Sequence, residues 1–223
     1  MNTEAVISAT IVVAIMLLVG LPVHEFSHAL VAFRLGDGTA KLFGRLTLNP
    51  IAHFDPVGGT LLALTFIGTA ATGTPFGFGW AKPTPVNPMN LEGGRRGEAL
   101  VAAAGPISNL ILAIAGAIPL RFMYANPHLI GQFTIVADVL DLFVRINILL
   151  MIFNLIPVPP LDGSKVMFAF MDRRTEYQIR PVLEQYGFFV LLILILPIFP
   201  GGSILGQIII PIMNGIYAFL VGI

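Results

Sequence analysis

The feature that most limits the possible folds is a mainly apolar run of twenty residues, Glu4 to Val23. About twenty such residues are what an α-helix needs to cross the hydrocarbon core of a bilayer. The composition supports a membrane protein, because 56% of the 223 residues are hydrophobic and only 11% are charged. A soluble domain would carry about a quarter charged residues. We therefore expect one compact membrane-embedded unit, residues 1–223.

The apolar run leads into His24-Glu25-Phe26-Ser27-His28, an HExxH sequence. Residues four apart lie on one face of a helix, so His24 and His28 can direct two imidazoles at one metal ion, with Glu25 beside it as a base. This arrangement is typical of zinc hydrolases. The plainer alternative is a pair of histidines that only satisfy contacts in a buried helix. The chain has no cysteine, which leaves His, Asp and Glu to hold a metal.

A catalytic zinc needs a third protein ligand and one open position. Asp162 is the candidate, in the sequence Asn154-Leu155-Ile156-Pro157-Val158-Pro159-Pro160-Leu161-Asp162-Gly163, where prolines end an apolar segment and extend the backbone. The alternative role for Asp162 is to cap a helix from Gly163 to Phe170, which aspartate does well. Taken by itself, Asp162 leaves both roles open.

Together the two motifs resemble the site-2 protease family of intramembrane zinc metalloproteases. That family pairs HExxH in one span with an asparagine- and proline-containing LDG motif at the end of a later span. The resemblance covers residues 1 to about 170 and points to a compact branch without an inserted PDZ-like domain. It implies one Zn²⁺ ion held by His24, His28 and Asp162, with Glu25 as the catalytic base.

Three further residues are candidates for substrate contact. The resemblance gives this role to Asn154 in the second motif and to Asn109, because Gly105 to Asn109 looks like the small-residue segment of the family's intervening span. From the residues alone, Asn109 could instead hydrogen-bond between helices. His53 is a substrate contact, a fourth metal ligand in an inhibited state, or a loop histidine hydrogen-bonded to Asp55.

We expect an all-α polytopic membrane protein with about five to six transmembrane helices, a re-entrant segment and a short membrane-associated β ribbon. A catalytic core of about residues 1–171 precedes C-terminal helices at 172–223. The predicted spans and C-terminal elements are residues 3–35, Ala99–Met123, Leu142–Pro157, a polar surface-lying helix at Asp172–Gln185, and apolar stretches at Phe188–Pro200 and Ser203–Ile223.

The predicted ribbon combines Lys41 to Leu48, which partly alternates as a strand does, with Phe76 to Met89, whose prolines confine it to a sheet edge. The apolar segment Val57 to Ala71 is either a full span or re-entrant. We favour re-entry because it places all the Lys and Arg residues except Arg121 and Arg145 on one side. The positive-inside rule makes that side cytoplasmic, and the candidate site lies toward it.

The resemblance implies an endopeptidase that hydrolyses peptide bonds in or near transmembrane segments, as in regulated intramembrane proteolysis. The implied partners are a membrane-protein substrate and the lipid bilayer, and we take a prokaryotic cell membrane as the default location. A substrate helix has to unwind before attack, and the Lys41 to Leu48 strand could hold it by strand addition. Balanced charge gives no reason to expect nucleic acid. The alternatives are an inactive homologue that binds membrane helices, against which the intact Glu25 argues, and a metal transporter.

Overall fold

The structure, a computed structural model, describes residues 3–61, 64, 79, 81–196 and 202–222, with side chains from residue 7 onward. Within these residues the chain forms helices joined by turns and extended segments, and no strand. In the part of the chain that the structure describes, four helices are long and apolar enough to cross a bilayer: Ile7–Arg34, Arg95–Ala125, Arg173–Ile195 and Ile204–Val221. The predicted all-α membrane architecture is therefore confirmed, while the number of five to six spans stays a prediction.

The first candidate transmembrane segment is one continuous helix of three parts: α1 (Thr3–Ile15), a π-helical turn (Met16–Gly20) and α2 (Leu21–Arg34). Pro22, at the start of α2, has no N–H to donate to the preceding turn. A wider π-helical turn lets the helix continue past that missing bond. The HExxH residues consequently lie on α2, directly after the widened turn.

Eight further helices follow within the described residues. In order they are α3 (Thr39–Leu42), α4 (Pro50–His53), α5 (Arg95–Ala125), α6 (Pro127–Gln132), α7 (Thr134–Asn154), α8 (Asp162–Phe170), α9 (Arg173–Ile195) and α10 (Ile204–Val221). Residues 56–61 are also helical, and a 3₁₀ turn at Pro88–Asn90 precedes α5.

Helix α5 lies at the centre and packs against α2, α7 and α8. Small residues allow the close approach of α7, as Ala113 and Ala117 of α5 are fully buried against Val144 and Ile148. A Cβ added to Gly116 would lie 2.9 Å from the ring of Phe143. Other members of this core are Leu120, Met151, Tyr217 and Val221. The packing holds α2 and α8, which carry the candidate ligands, against one central helix.

Two charged residues of α7 pair with each other and contact a tyrosine of α10. Arg145 Nε donates to Asp141 Oδ2 at 2.8 Å, and its guanidinium carbon lies 3.7 Å from the centre of the Tyr217 ring. The Tyr217 hydroxyl of α10 also donates to Asp141. The pairing lowers the cost of placing these two charges in the bundle, because each has a partner of opposite charge. The contacts with Tyr217 also join α10 to α7.

Replacing Asp141 with Ala is expected to destabilise the bundle, because it leaves the Arg145 guanidinium without its carboxylate. Since both side chains are about a third exposed, we expect a loss of about 1–2 kcal/mol rather than the larger cost of a fully buried pair. Thermal unfolding of the purified protein in detergent measures the loss. Asp138→Ala is the matched control, because Asp138 is exposed on the same helix; equal effects of the two substitutions would contradict the prediction.

The predicted strand at Lys41 to Leu48 is wrong. Asp37 accepts hydrogen bonds from the Thr39 N–H, at 3.0 Å, and from its hydroxyl, and so favours the helical turn of α3. Gly44 then adopts a positive φ of 68°, which turns the chain rather than extending it. The hydrogen bonds to Asp37 and the turn at Gly44 outweigh the weak alternation of apolar and polar residues. This half of the predicted β ribbon is therefore absent. The hypothesis that it holds substrate by strand addition loses its basis.

The predicted surface helix Asp172–Gln185 and the following apolar stretch as far as Ile195 are one continuous helix, α9. Its polar half is fastened to α5, since Arg180 donates to Glu98 at 2.8 Å and to Glu184 at 2.8 Å. Arg95 of α5 lies 2.8 Å from Glu176 of α9. The charged face therefore docks on the bundle instead of lying as a separate element on the membrane surface.

Two other predictions fall partly on residues outside the described set. Of Val57 to Ala71 only residues 57–61 and 64 are described, and they are helical. Of Phe76 to Met89, residues 79 and 81–87 are described and have no regular secondary structure, and the 3₁₀ turn follows. The re-entrant segment thus stays a prediction, and the described part of the second ribbon piece forms no strand.

Candidate active site

Three ligand-type atoms from two distant parts of the sequence meet in the interior. His24 Nε2 and His28 Nε2 lie 3.1 Å apart, and Asp162 Oδ2 lies 3.5 Å from the first and 3.2 Å from the second. Both histidines are buried, and Asp162 is largely so. The helical spacing of HExxH brings the imidazoles together, and the start of α8 brings the carboxylate to them.

The dimensions of this triangle suit a zinc ion. Zinc lies about 2.0–2.2 Å from nitrogen and oxygen ligands in a tetrahedron, so its ligand atoms are roughly 3.3–3.5 Å apart. The three separations, 3.1, 3.2 and 3.5 Å, are close to that spacing. Two imidazoles and one carboxylate are also the donor set of many catalytic zinc sites. The residues therefore fit the metal.

The hydrogen bond made by Nδ1 of each imidazole determines whether its Nε2, which faces the site, carries a proton or a lone pair. His28 Nδ1 donates to the carbonyl of Val101 at 2.7 Å, and His24 Nδ1 donates to Asn109 Oδ1 at 3.3 Å. Each Nε2 of the neutral rings then presents a lone pair, and the two lone pairs face each other. Such partners are the usual outer contacts of metal-binding histidines. A cation at the centre would remove the repulsion between the lone pairs.

Asp162 is placed by the turn that ends α7. A Cβ added to Gly163 would lie 2.1 Å from the Leu155 carbonyl oxygen, so only glycine lets α8 begin this close to the end of α7. The N-cap of α8 is Leu161, without a side-chain cap, and the alternative capping role of Asp162 is not realised.

Gly105 of α5 lies directly over the two imidazoles. A Cβ built there would be 2.3 Å from His28 Nε2 and 2.6 Å from His24 Nε2. Both distances are far shorter than a carbon-to-nitrogen contact, so the missing side chain leaves free space against the two Nε2 atoms, where an ion could bind. This cradle is a second, independent indication of a metal site.

Glu25 has a partner that the sequence did not indicate. Its carboxylate oxygen Oε2 accepts from the Thr84 N–H at 2.9 Å and from the Thr84 hydroxyl at 2.8 Å. Glu25 is half-buried and close enough for its charge to act on the His28 imidazole. The candidate base is therefore held beside the candidate ligands.

The three candidate substrate contacts, Asn109, Asn154 and His53, have different hydrogen-bond partners in the structure. Asn109 Oδ1 of α5 bonds His24 of α2, so Asn109 makes the hydrogen bond between helices that was the alternative to substrate contact. Its buried Nδ2 has no partner among the described residues. The Asn154 amide donates to Leu150 of its own helix, at 3.0 Å. His53 Nε2 bonds the Thr47 carbonyl at 2.8 Å rather than Asp55, so the predicted pairing with Asp55 is not formed. Within the described part of the chain, the group of ligand-type atoms contains neither Asn154 nor His53.

Comparison with known proteins agrees with this geometry. The model of peptidase family M50 matches residues 128–197, which include the turn with Asp162. The Bacillus subtilis protein named "Putative zinc metalloprotease YwhC" is 38% identical over 202 residues, which are 90% of this chain and 84% of that protein. The chain belongs to peptidase family M50. It is a metalloprotease, and the resemblance to the site-2 protease family is confirmed.

More distant relatives of this M50 chain have the same kind of name. "Putative zinc metalloprotease Rip2" of Mycobacterium tuberculosis is 31% identical over 180 residues, and that of Mycolicibacterium smegmatis is 28% identical over 179 residues. In both, the match covers 80% of this chain and 64% of the relative. No solved structure matches the chain significantly. The names imply zinc as the metal, in agreement with the His24, His28 and Asp162 group.

Proposed function

We propose that this M50 peptidase is an intramembrane zinc endopeptidase that cuts single-span or membrane-anchored proteins in or near their transmembrane segments. The observation that carries the proposal is the triangle of His24, His28 and Asp162 donor atoms, two of which belong to a membrane-crossing helix. Buried ionisable groups inside a span are costly and generally serve function.

The depth of the site supports cleavage near one membrane face. His24 is nineteen residues beyond Ala5, where the apolar run begins after Glu4. At about 1.5 Å per residue this is roughly 29 Å along a helix that crosses a hydrocarbon core of about 30 Å. The candidate ligands thus lie inside the bilayer but close to its second interface, where water has a short path to them.

Contacts between distant segments support a cytoplasmic location for that interface. The Glu92 N–H donates to the Leu35 carbonyl at 2.7 Å, and the Arg95 guanidinium donates to the carbonyls of Phe168 and Met171. The end of α2, the start of α5 and the junction of α8 with α9 are therefore at one end of the bundle. The basic residues of these segments, and of the neighbouring segments that contact them, are Arg34, Lys41, Arg45, Lys82, Arg95, Arg96, Lys165, Arg173, Arg174 and Arg180. By the positive-inside rule this end faces the cytoplasm.

The roles of the chain's own residues follow from their contacts. His24, His28 and Asp162 would hold the ion, and the zinc, when bound, would acidify a water and polarise the scissile carbonyl. Glu25 takes the proton of that water on Oε1 and passes it to the leaving amine, while its Oε2 is held by Thr84. The buried walls of α2 and α5 keep bulk water from the reacting groups.

Of the tentative substrate contacts, Asn109 has the strongest support. Its Nδ2 is a buried donor without a partner among the described residues, on the amide that also orients His24. An unwound substrate carbonyl beside the site would satisfy this donor. We also retain the proposed substrate role for Asn154 and His53. The Asn154 amide already donates to the Leu150 carbonyl, and the His53 imidazole bonds the Thr47 carbonyl.

The test of this function combines metal content with cleavage. We expect the purified protein to hold about one zinc per chain, because three ligands complete one tetrahedral site with an open position. Reconstituted in vesicles, it should cut at least one of a panel of tagged single-span reporter proteins within the membrane segment. Chelation should abolish cleavage, and added zinc should restore it. A metal-free protein, or cleavage that survives complete chelation, would overturn the proposal.

A further inference from the structure

A segment without regular secondary structure, residues 81–87, contacts Glu25 of α2. We name it the strap. At its centre, the N–H and hydroxyl of Thr84 lie 2.9 and 2.8 Å from Glu25 Oε2, and the hydroxyl is also 3.0 Å from the Glu25 carbonyl. The contact therefore involves both the carboxylate and the backbone of the candidate base.

The strap is fixed on either side of Thr84. Toward its start, the Lys82 N–H donates to the His53 carbonyl at 2.9 Å. Toward its end, the Asn87 N–H donates to the fully buried Asp37 at 2.7 Å. The guanidinium of Arg45 adds a contact with the Lys82 carbonyl at 3.5 Å. The position of Thr84 is thus set by two anchors that have no part in the candidate metal site.

The proline pattern of the strap makes these contacts rigid. Lys82, Thr84 and Asn87 each precede a proline, and a residue before proline is restricted to extended backbone. The same three residues donate the N–H groups that fasten the strap. Proline also fixes φ in the unfolded chain, so the strap loses less conformational entropy when the protein folds. Thr84 consequently meets Glu25 as part of a preformed element.

We propose that Thr84 is a positioning residue for the catalytic base. It holds Oε2 of Glu25 with two donors and thereby leaves Oε1 to accept the proton of the attacking water. A glutamate side chain without this restraint would distribute among several rotamers, most of which direct the carboxylate away from the reacting water. This inference rests on the proposed function, since it assumes that Glu25 acts as the base.

Removal of the hydroxyl alone is the sharpest test. Thr84→Val keeps the shape and the N–H but loses one hydrogen bond to a charged group, and we expect kcat to fall about ten- to a hundredfold. KM should change less than about threefold, because substrate binding does not depend on the orientation of the base. Thr84→Ser should restore most of kcat. Zinc content and thermal stability should equal those of the wild type in both variants.

A matched control is available in Thr134, whose hydroxyl donates to Ile130 at 3.2 Å on the exposed surface of α7. Thr134→Val removes the same group and should leave kcat unchanged. If Thr84→Val kept the wild-type kcat, or if Ser failed to rescue and zinc was lost as well, Thr84 would have no positioning role. Such a result differs from failure of the proposed function, in which the wild type itself would not cleave.

The placement of the strap is testable without any activity measurement. The chain contains no cysteine, so an introduced pair can react only within itself or with another copy. Glu25→Cys combined with Thr84→Cys should form an intramolecular disulfide under mild oxidation in the membrane, seen as altered gel mobility. Glu25→Cys combined with Thr134→Cys should not, because Thr134 lies at the opposite end of the bundle. Equal cross-linking of the two pairs, or of neither, would overturn the inference.

Discussion

Replacing Glu25 with Gln is expected to lower the cleavage rate by about 10³-fold, because the amide cannot take the proton of the attacking water. The variant should still bind zinc, since Glu25 is not among the three candidate ligands. The amide oxygen of glutamine can accept the hydrogen bonds of Thr84, so the strap should keep its place. The rate of reporter cleavage in vesicles, together with metal analysis of the same preparation, gives both quantities.

The control for this substitution is Glu92→Gln, which makes the same change on an exposed residue at the same end of the bundle. It should leave both cleavage and zinc unchanged. If Glu25→Gln cleaved as fast as the wild type, the role of Glu25 as a base would be wrong. Loss of zinc from Glu25→Gln would instead point to a structural role for the carboxylate.

The local part of the site could be predicted from the sequence. A spacing of four on a helix is enough to bring His24 and His28 together, and the apolar run before them places that helix in a membrane. Asp162 could be selected because few other acids follow a proline-rich turn at the end of a span. Its contact with the histidines depends on packing of α8 against α5, which required the structure.

The contacts that support the site are non-local and could not be read from a pattern. Thr84 reaches Glu25 across fifty-nine residues, and its position depends on anchors at His53 and Asp37. The proline spacing around Thr84 indicates a stiff extended segment but carries no information about what it touches. The strand predicted at Lys41 to Leu48 failed for a local reason instead. A weak alternation of residue types was outweighed by the hydrogen bond from Thr39 to Asp37 and by the glycine turn at Gly44.

Gly105 shows how a single absent side chain can be needed for a metal site. The resemblance indicated a small-residue segment here, but only the structure reveals that the Cα faces both imidazoles. His28 cannot simply move aside, because its Nδ1 is held by the Val101 carbonyl of the same helix α5. His24 is held in the same way by Asn109. A methyl group at Gly105 would therefore either occupy the place of the ion or separate the rings.

Gly105→Ala is accordingly expected to weaken zinc binding by about a hundredfold or more, which exceeds the usual effect of changing one outer contact. Cleavage should be lost with the metal. The metal-free protein should also lose stability, because displacing rings held by Val101 and Asn109 costs more than the gain of about 1 kcal/mol in helix propensity from Gly to Ala. Zinc titration and thermal unfolding separate the two effects.

Gly131→Ala, where a Cβ meets nothing within 4 Å, controls for the substitution, and Gly116→Ala controls for crowding within α5. Because Gly116 contacts the Phe143 ring and no ligand, its variant should keep zinc, whereas full zinc binding by Gly105→Ala would contradict the cradle.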